Sequence, residues 1–557
     1  MLKKLELFKR ISLIFLFLIS LKECISFKCG SDKLKVNLGI LNTTEDDSKR
    51  RLDAEYTNIK IIVDYSDFIK PYNMDTNTYN TIKKLIDETV NDFKKIIKVQ
   101  HIDINLANER NFIMSECELN NLNSNYGKYL IDNDLIIFPS FDYYLGDYTI
   151  AAARGCLFAS TSYKPVAGNL YINQDYLSFQ KRNSELYIKQ TLLHEITHIL
   201  IFHPALLEFL KMITIKQSNG EKIILVNSRK VLEKAKEHFG CTSLEGIPLE
   251  NQGNEGSAGF HWESRYMLGD YMISTDYSDT VISDITLALF EDSGFYKVNY
   301  FMGSLFKFGK NKGCEFFNQK CIKNGKVLFE DEFCINANTP MCSQSKSFKA
   351  ECLIFDYSIF NYVIPTKYQY FENPYHGGEE TTDFCPVADF NYTLDDDYFE
   401  TSCYVGNSNF PIEYGEKLGS KSFCFISSLL PSSSNYDISS KAICYEVECE
   451  RNNKKIIVNI GGINVECPTE GGVIHPNGFK GEIKCPKYSE ICGFKDNEIC
   501  NEIFECLKKE NDFLIKEKQS SNNENNKNNE NNKDASFEKE TLINFKYLLI
   551  LLYIFIC

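Results

Sequence analysis

His194-Glu195-Ile196-Thr197-His198 places two imidazoles and a carboxylate within five residues. On a helix advancing about 100° per residue, with His194 at zero, His198 falls at about 40°, whereas Leu192, Ile196 and Ile199 fall between about 140° and 200°. The two rings therefore share one face and the apolar side chains take the other. Such a pair suits a zinc ion, which binds His nitrogen at about 2.0–2.1 Å and, in catalytic sites, keeps one of four positions for water. Glu195 is placed to take a proton from that water as it attacks a carbonyl and to pass it to the leaving amine. The chemistry this spacing suggests is hydrolysis of a peptide bond.

A third ligand is needed. In the metzincin pattern it lies six residues beyond the second His, but that position is Pro204. His203 falls at about 180° on a continued helix, so it reads as structural. The better candidate is His261, in Gly256-Ser257-Ala258-Gly259-Phe260-His261-Trp262-Glu263, whose glycines let the backbone approach the helix closely. A carboxylate from Glu255 or Glu263, as in thermolysin-type sites, is the alternative.

The elements that must position these groups are legible in outline. Lys60 to Phe68 reads as a strand, Tyr79 to Val99 as an amphipathic helix, and Leu135 to Phe138 and Asn169 to Ile172 as strands, which gives an α/β arrangement over residues 56–203. From Pro204 to about Val298 the apolar spacing is mainly helical. Of the 21 cysteines, 15 lie between Lys310 and Cys506 among turn residues and short Tyr-, Phe- and Val-rich runs, which predicts a disulfide-stapled, strand-containing region and an oxidising compartment. The 557 residues call for several domains. With 61 Lys and Arg against 76 Asp and Glu, the net charge of −15 excludes the basic footprint of a nucleic-acid binder.

The two ends read as addresses. A basic stretch precedes the apolar run Ile11 to Leu21, so residues 1–26 are expected to be a secretory signal. Residues 516–546 form an Asn-rich stalk with small residues Asp534 to Ser536 as a candidate anchor site, followed by the short apolar tail 547–557. Small residues, spacer and tail are the parts of a glycolipid-anchor signal, which places the chain on the outer face of the cell membrane. Sequons at Asn42 and Asn391 suit a secreted glycoprotein.

At this point the chain resembles the leishmanolysin family of surface zinc proteases. The matching residues are the His-Glu-x-x-His helix, the His-Trp-Glu at 261–263, Met272 eleven residues beyond His261, Ala151 to Cys156 with Pro165 to Ile172, Leu289 to Lys297, Phe308 to Cys314, and Gly478 to Cys492. The resemblance runs from about residue 56 to 506. It implies an α+β chain: a metzincin-like catalytic core of twisted sheet and active-site helix (56–203), a helical central domain carrying the third His and a Met-turn at Met272 (204–310), and a cysteine-rich C-terminal domain (311–515). It also implies one zinc held by His194, His198 and His261, with Glu195 as base and protein or peptide substrates. Residues 27–55 would then be a propeptide. There Cys29, near Asp32, looks like the family's inhibitory cysteine, and Lys49-Arg50-Arg51 is a candidate processing site. Setting Cys29 and the cysteines of signal and tail aside leaves 18, enough for nine disulfides.

One position departs from the family, which has Gly three residues after the second His where this chain has Ile201. Ile does not readily take a positive φ. Either the helix runs on to Pro204 or the site is distorted, and a fold that serves adhesion without catalysis is the competing function.

Overall fold

The computed structural model describes residues 39–41 and 55–492, apart from 143–148, 161, 175–184, 219–220, 253–257, 276–279, 301–305, 390–400, 404–411, 420, 437–438 and 451. The signal, Cys29, Asn42, Lys49-Arg50-Arg51, Glu255, Asn391, the stalk and the anchor region fall outside the described residues. Among the described residues no helix is long and apolar enough to cross a membrane.

Five strands form the sheet on which the site is built: β1 (Gly39–Leu41), β2 (Ile61–Val63), then beyond helix α1 (Thr76–Ile96), strand β3 (Ile97–Val99) and helix α2 (Arg110–Glu116) come β4 (Leu135–Asp142), β5 (Ala151–Ala159) and β6 (Pro165–Asn173). β3 belongs to a separate small sheet; the five run in the order β1–β5–β6–β4–β2, with β5 and β6 antiparallel and the other neighbours parallel. Alternation of side chains sends Ile137, Ala153, Leu170 and Ile172 to one face and Ile136, Phe138, Leu157 and Val166 to the other. The predicted helix Tyr79 to Val99 begins three residues earlier, where Asp75 accepts from the Thr78 amide, and its last three residues become β3. Its buried residues Ile82, Leu85, Ile86, Val90, Phe93 and Ile96 keep helical spacing and join the first face.

Helix α3 (Glu185–Leu200), which carries His194 and His198, lies on that same face. Its close approach depends on Gly168, which pairs with Gly155 across β5 and β6. A Cβ at Gly168 would stand 2.8 Å from Ile199 Cγ1, and one at Gly155 would stand 3.5 Å from the Ile199 carbonyl. The helix settles over Gly168, where a side chain is missing.

The central region is not the helical domain expected. Helices α4 (Pro204–Phe209), α5 (Arg229–Phe239), α6 (Ser264–Met267) and α7 (Asp284–Asp292) are present, but β7 (Ile213–Ser218), β8 (Glu221–Val226) and β9 (Ile247–Pro248) form a three-stranded antiparallel sheet, and β10 (Tyr296–Val298) pairs back onto β3. The hairpin was signalled by Asn219-Gly220 between two β-branched runs, a dipeptide that favours a two-residue reversal. Several of its side chains are exposed, so no apolar periodicity advertised it.

Beyond it lies a six-stranded antiparallel sheet in the order β14–β13–β12–β11–β16–β15, made of β11 (Ser422–Ser427), β12 (Lys441–Glu450), β13 (Lys455–Ile460), β14 (Ile463–Cys467), β15 (Gly472–Ile474) and β16 (Ile483–Cys485). It has its own core around Phe425, Ile443, Tyr445, Ile456, Val458 and Ile483. Eight disulfides are formed among the described residues, and six of them join residues from Cys321 to Cys492.

Candidate metal centre

The structure brings His194, His198 and His261 together, with one ring nitrogen from each lying within 4.8 Å of the others. Ring centroids are 4.8 Å apart for His194 and His198, 5.2 Å for His194 and His261, and 5.0 Å for His198 and His261. All three side chains are buried or nearly so. Burial holds His194 down at about 4, and burial with the neighbouring imidazoles holds His198 well below its ordinary value. Both are neutral at pH 7, the form in which imidazole binds a metal.

Hydrogen bonds fix the tautomer of two of the rings. His194 Nδ1 donates to the Tyr271 carbonyl at 2.5 Å, and His198 Nδ1 donates to the Phe202 carbonyl at 2.7 Å. A carbonyl only accepts, so each Nδ1 carries the proton and each Nε2 presents a lone pair. Those two Nε2 atoms face each other at 3.0 Å. Two lone pairs at that separation repel unless a cation lies between them. Tetrahedral zinc with His nitrogens at about 2.0–2.1 Å would hold two such atoms about 3.3 Å apart, so the donor set and spacing fit the ion.

The chain beyond α3 answers the question posed by Ile201. Its amide and that of Phe202 both donate to the Thr197 carbonyl, at 2.9 and 3.0 Å, and α4 starts at Pro204. Ile201 is fully buried and is not among the residues with positive φ. The helix neither continues to Pro204 nor needs a left-handed residue, and the tightened end aims the Phe202 carbonyl at His198. His203 is structural, as expected: its Nδ1 accepts from the Ala205 amide and caps α4.

His261 is delivered by backbone pairing. Its carbonyl accepts from the Glu250 amide, and the next residue, Trp262, donates its amide to the Met272 carbonyl at 3.0 Å. Met272 is fully buried beside this pairing. A polar chain underneath holds the segment: Trp262 Nε1 donates to Thr286 Oγ1, Thr286 donates to Asp270 Oδ2, and Asp270 Oδ1 accepts from the Met272 amide, each at 2.8 Å. Burial pushes the Asp270 carboxyl up to about 6. Glu263, the alternative ligand, instead points its carboxylate at the amides of Asn251 and Arg265, at the start of α6. Burial, with Glu250 and Asp383 nearby, holds it well above the ordinary carboxyl range. Glu195 is buried on α3 beside His194.

Tyr271 was not legible in the sequence. Its carbonyl orients His194, and its hydroxyl donates at 2.9 Å to Thr197 Oγ1, which itself donates to the Leu193 carbonyl. The contact joins residues 77 apart in the chain, and only the resemblance at Met272 pointed to that neighbourhood.

With helix, histidines and Met272 segment assembled on the sheet, comparison with known proteins places the chain. The family model for leishmanolysin, peptidase M8, matches residues 74–498, and the chain belongs to that family. It is 28% identical to a leishmanolysin-like peptidase of Caenorhabditis elegans over 62% of this chain and 64% of that protein. It is 27% identical to a leishmanolysin homolog of Crithidia fasciculata over 54% of this chain and 47% of the relative, and 26% identical to leishmanolysin of Leishmania chagasi over 55% and 51%. The matches span about half to two-thirds of the length of these relatives.

Proposed function

We propose that the chain is a zinc-dependent metalloendopeptidase, secreted and held on the cell surface by a glycolipid near Asp534 to Ser536. The observation that carries this reading is the convergence of His194 and His198 Nε2 lone pairs with His261, on a helix that also bears Glu195. Zinc held by His194, His198 and His261 would acidify a water and polarise the scissile carbonyl. Glu195 accepts the proton of the attacking water and delivers it to the departing amine, so one carboxylate serves as base and then acid. Tyr271 and Phe202 keep both imidazoles in the metal-binding tautomer through their carbonyls. Family membership supports peptides or proteins as substrates.

Glu195→Gln tests the proposal. The amide cannot accept the proton, so hydrolysis of a fluorogenic peptide should fall by about 10²–10⁴-fold while one zinc per chain is retained. Undiminished hydrolysis would remove Glu195 from the mechanism. Whether surface protein still carries residues 547–557 is read by mass spectrometry of its C-terminus, and their presence would reject the glycolipid anchor.

A further inference from the structure

β5 is a nine-residue, largely apolar strand, and without β1 it would be an open edge of the sheet. Such an edge is a ready template for another strand. Here its last third is covered by the chain's own N-terminal segment: Gly39, Ile40 and Leu41 pair in parallel with Leu157, Phe158 and Ala159, and the Ser160 amide donates to the Leu41 carbonyl at 2.8 Å. The slot is shaped. A Cβ at Gly39 would lie 2.7 Å from the Cys156 carbonyl oxygen and 2.9 Å from Glu116 Cβ, so glycine alone fits between α2 and β5. Two positions on, Leu41 is buried in the cluster that contains Ile113, Cys117, Leu157 and Val166, on the sheet face opposite α3.

We propose that the β5 edge at Leu157–Ala159 is a docking site for an extended strand of pattern Gly–apolar–Leu, filled in the precursor by Gly39–Leu41. Three paired residues and one buried leucine hold a free peptide weakly. Tethered through residues 42–54, the same strand is presented at an effective concentration on the order of mM, which keeps the site filled. An endopeptidase that cuts at Lys49-Arg50-Arg51 would add water across one peptide bond, giving a new carboxylate and a new amine, and the untethered strand would leave. The proposal rests on reading residues 27–55 as a removable segment. Its test uses neither metal nor hydrolysis, so its failure and that of the peptidase reading are distinguishable.

The experiment places a specific protease site within residues 42–54 of the secreted chain, in a Cys29→Ser background so that no disulfide retains the fragment. Hydrogen exchange at the Ser160 amide is followed before and after cutting and gel filtration. The N-terminal fragment should separate from the cut protein, and Ser160 should then exchange at least about tenfold faster. A synthetic peptide covering residues 34–46, added at millimolar concentration, should restore protection, and its Leu41→Asp and Gly39→Val versions should not. Co-elution of the fragment with the cut protein, Ser160 protection that survives its removal, or equal rescue by the Leu41→Asp peptide would overturn the proposal.

Discussion

The region around the metal centre and the region from Cys321 onward solve the same problem of order by opposite means. Near the histidines, positions are imposed by close packing and hydrogen bonds: the gap at Gly168 under α3, the Tyr271 and Phe202 carbonyls behind the imidazoles, and the Trp262–Thr286–Asp270 chain under Met272. One disulfide, Cys117–Cys156, ties the sheet to α2's end, and Cys241–Cys314 closes the central region. In the C-terminal region a smaller core lies within the six-stranded sheet, and six cross-links tie together residues from Cys321 to Cys492. A site that must hold three nitrogens to a fraction of an ångström is set by many small contacts, whereas a region with no such demand relies on constraining its unfolded chain.

That contrast can be broken at the cross-links first. Replacing Cys342 and Cys424 by Ser removes a bond that spans 82 residues and should cost about 2–4 kcal/mol. Hydrogen exchange should then rise in β11 and β12 while α3 keeps its protection and the zinc affinity stays within about twofold of the parent, a margin inside the usual scatter for distant sites. Equal loss of protection in α3 would mean the two regions unfold as one. A smaller effect is expected from Gly168→Ala, which presses a methyl into Ile199 and should cost about 1–3 kcal/mol. Here the outcome should be the reverse, with weakened zinc binding and an undisturbed β12–β13 pairing, both readable by the same exchange experiment and a chelator competition.

The smallest change, Tyr271→Phe, removes only the hydroxyl that meets Thr197 and leaves the carbonyl on His194. A net loss of about 0.5–1.5 kcal/mol is expected, and metal affinity should fall by about tenfold or less. If affinity does not move, the backbone carbonyl alone orients His194 and the side chain is packing.

What could be read in advance follows the range of the interactions. The His194–His198 helix was legible because ligands and apolar residues obey one 3.6-residue period, and the same period produced α1 to within a few residues. β4 and β6 were found as short apolar runs but came out longer, since their ends are fixed by pairing with neighbours rather than by their own hydrophobicity. The hairpin of β7 and β8 was missed because helical spacing was sought where a turn dipeptide carried the signal. His261 needed its glycines and the family resemblance, as nothing local ties it to a helix 63 residues earlier. Tyr271, Asp270 and Thr286 could not be found at all, because hydrogen bonds between distant segments leave no spacing behind.

The central claim, that His194, His198 and His261 form a zinc site on which hydrolysis depends, is tested most directly by stripping the secreted protein with a chelator and titrating zinc back while peptide cleavage is followed. Cleavage should vanish on stripping and return in full at one zinc per chain, and the His261→Ala protein should need far more zinc or fail to recover. Cleavage that persists in the metal-free protein would contradict the account.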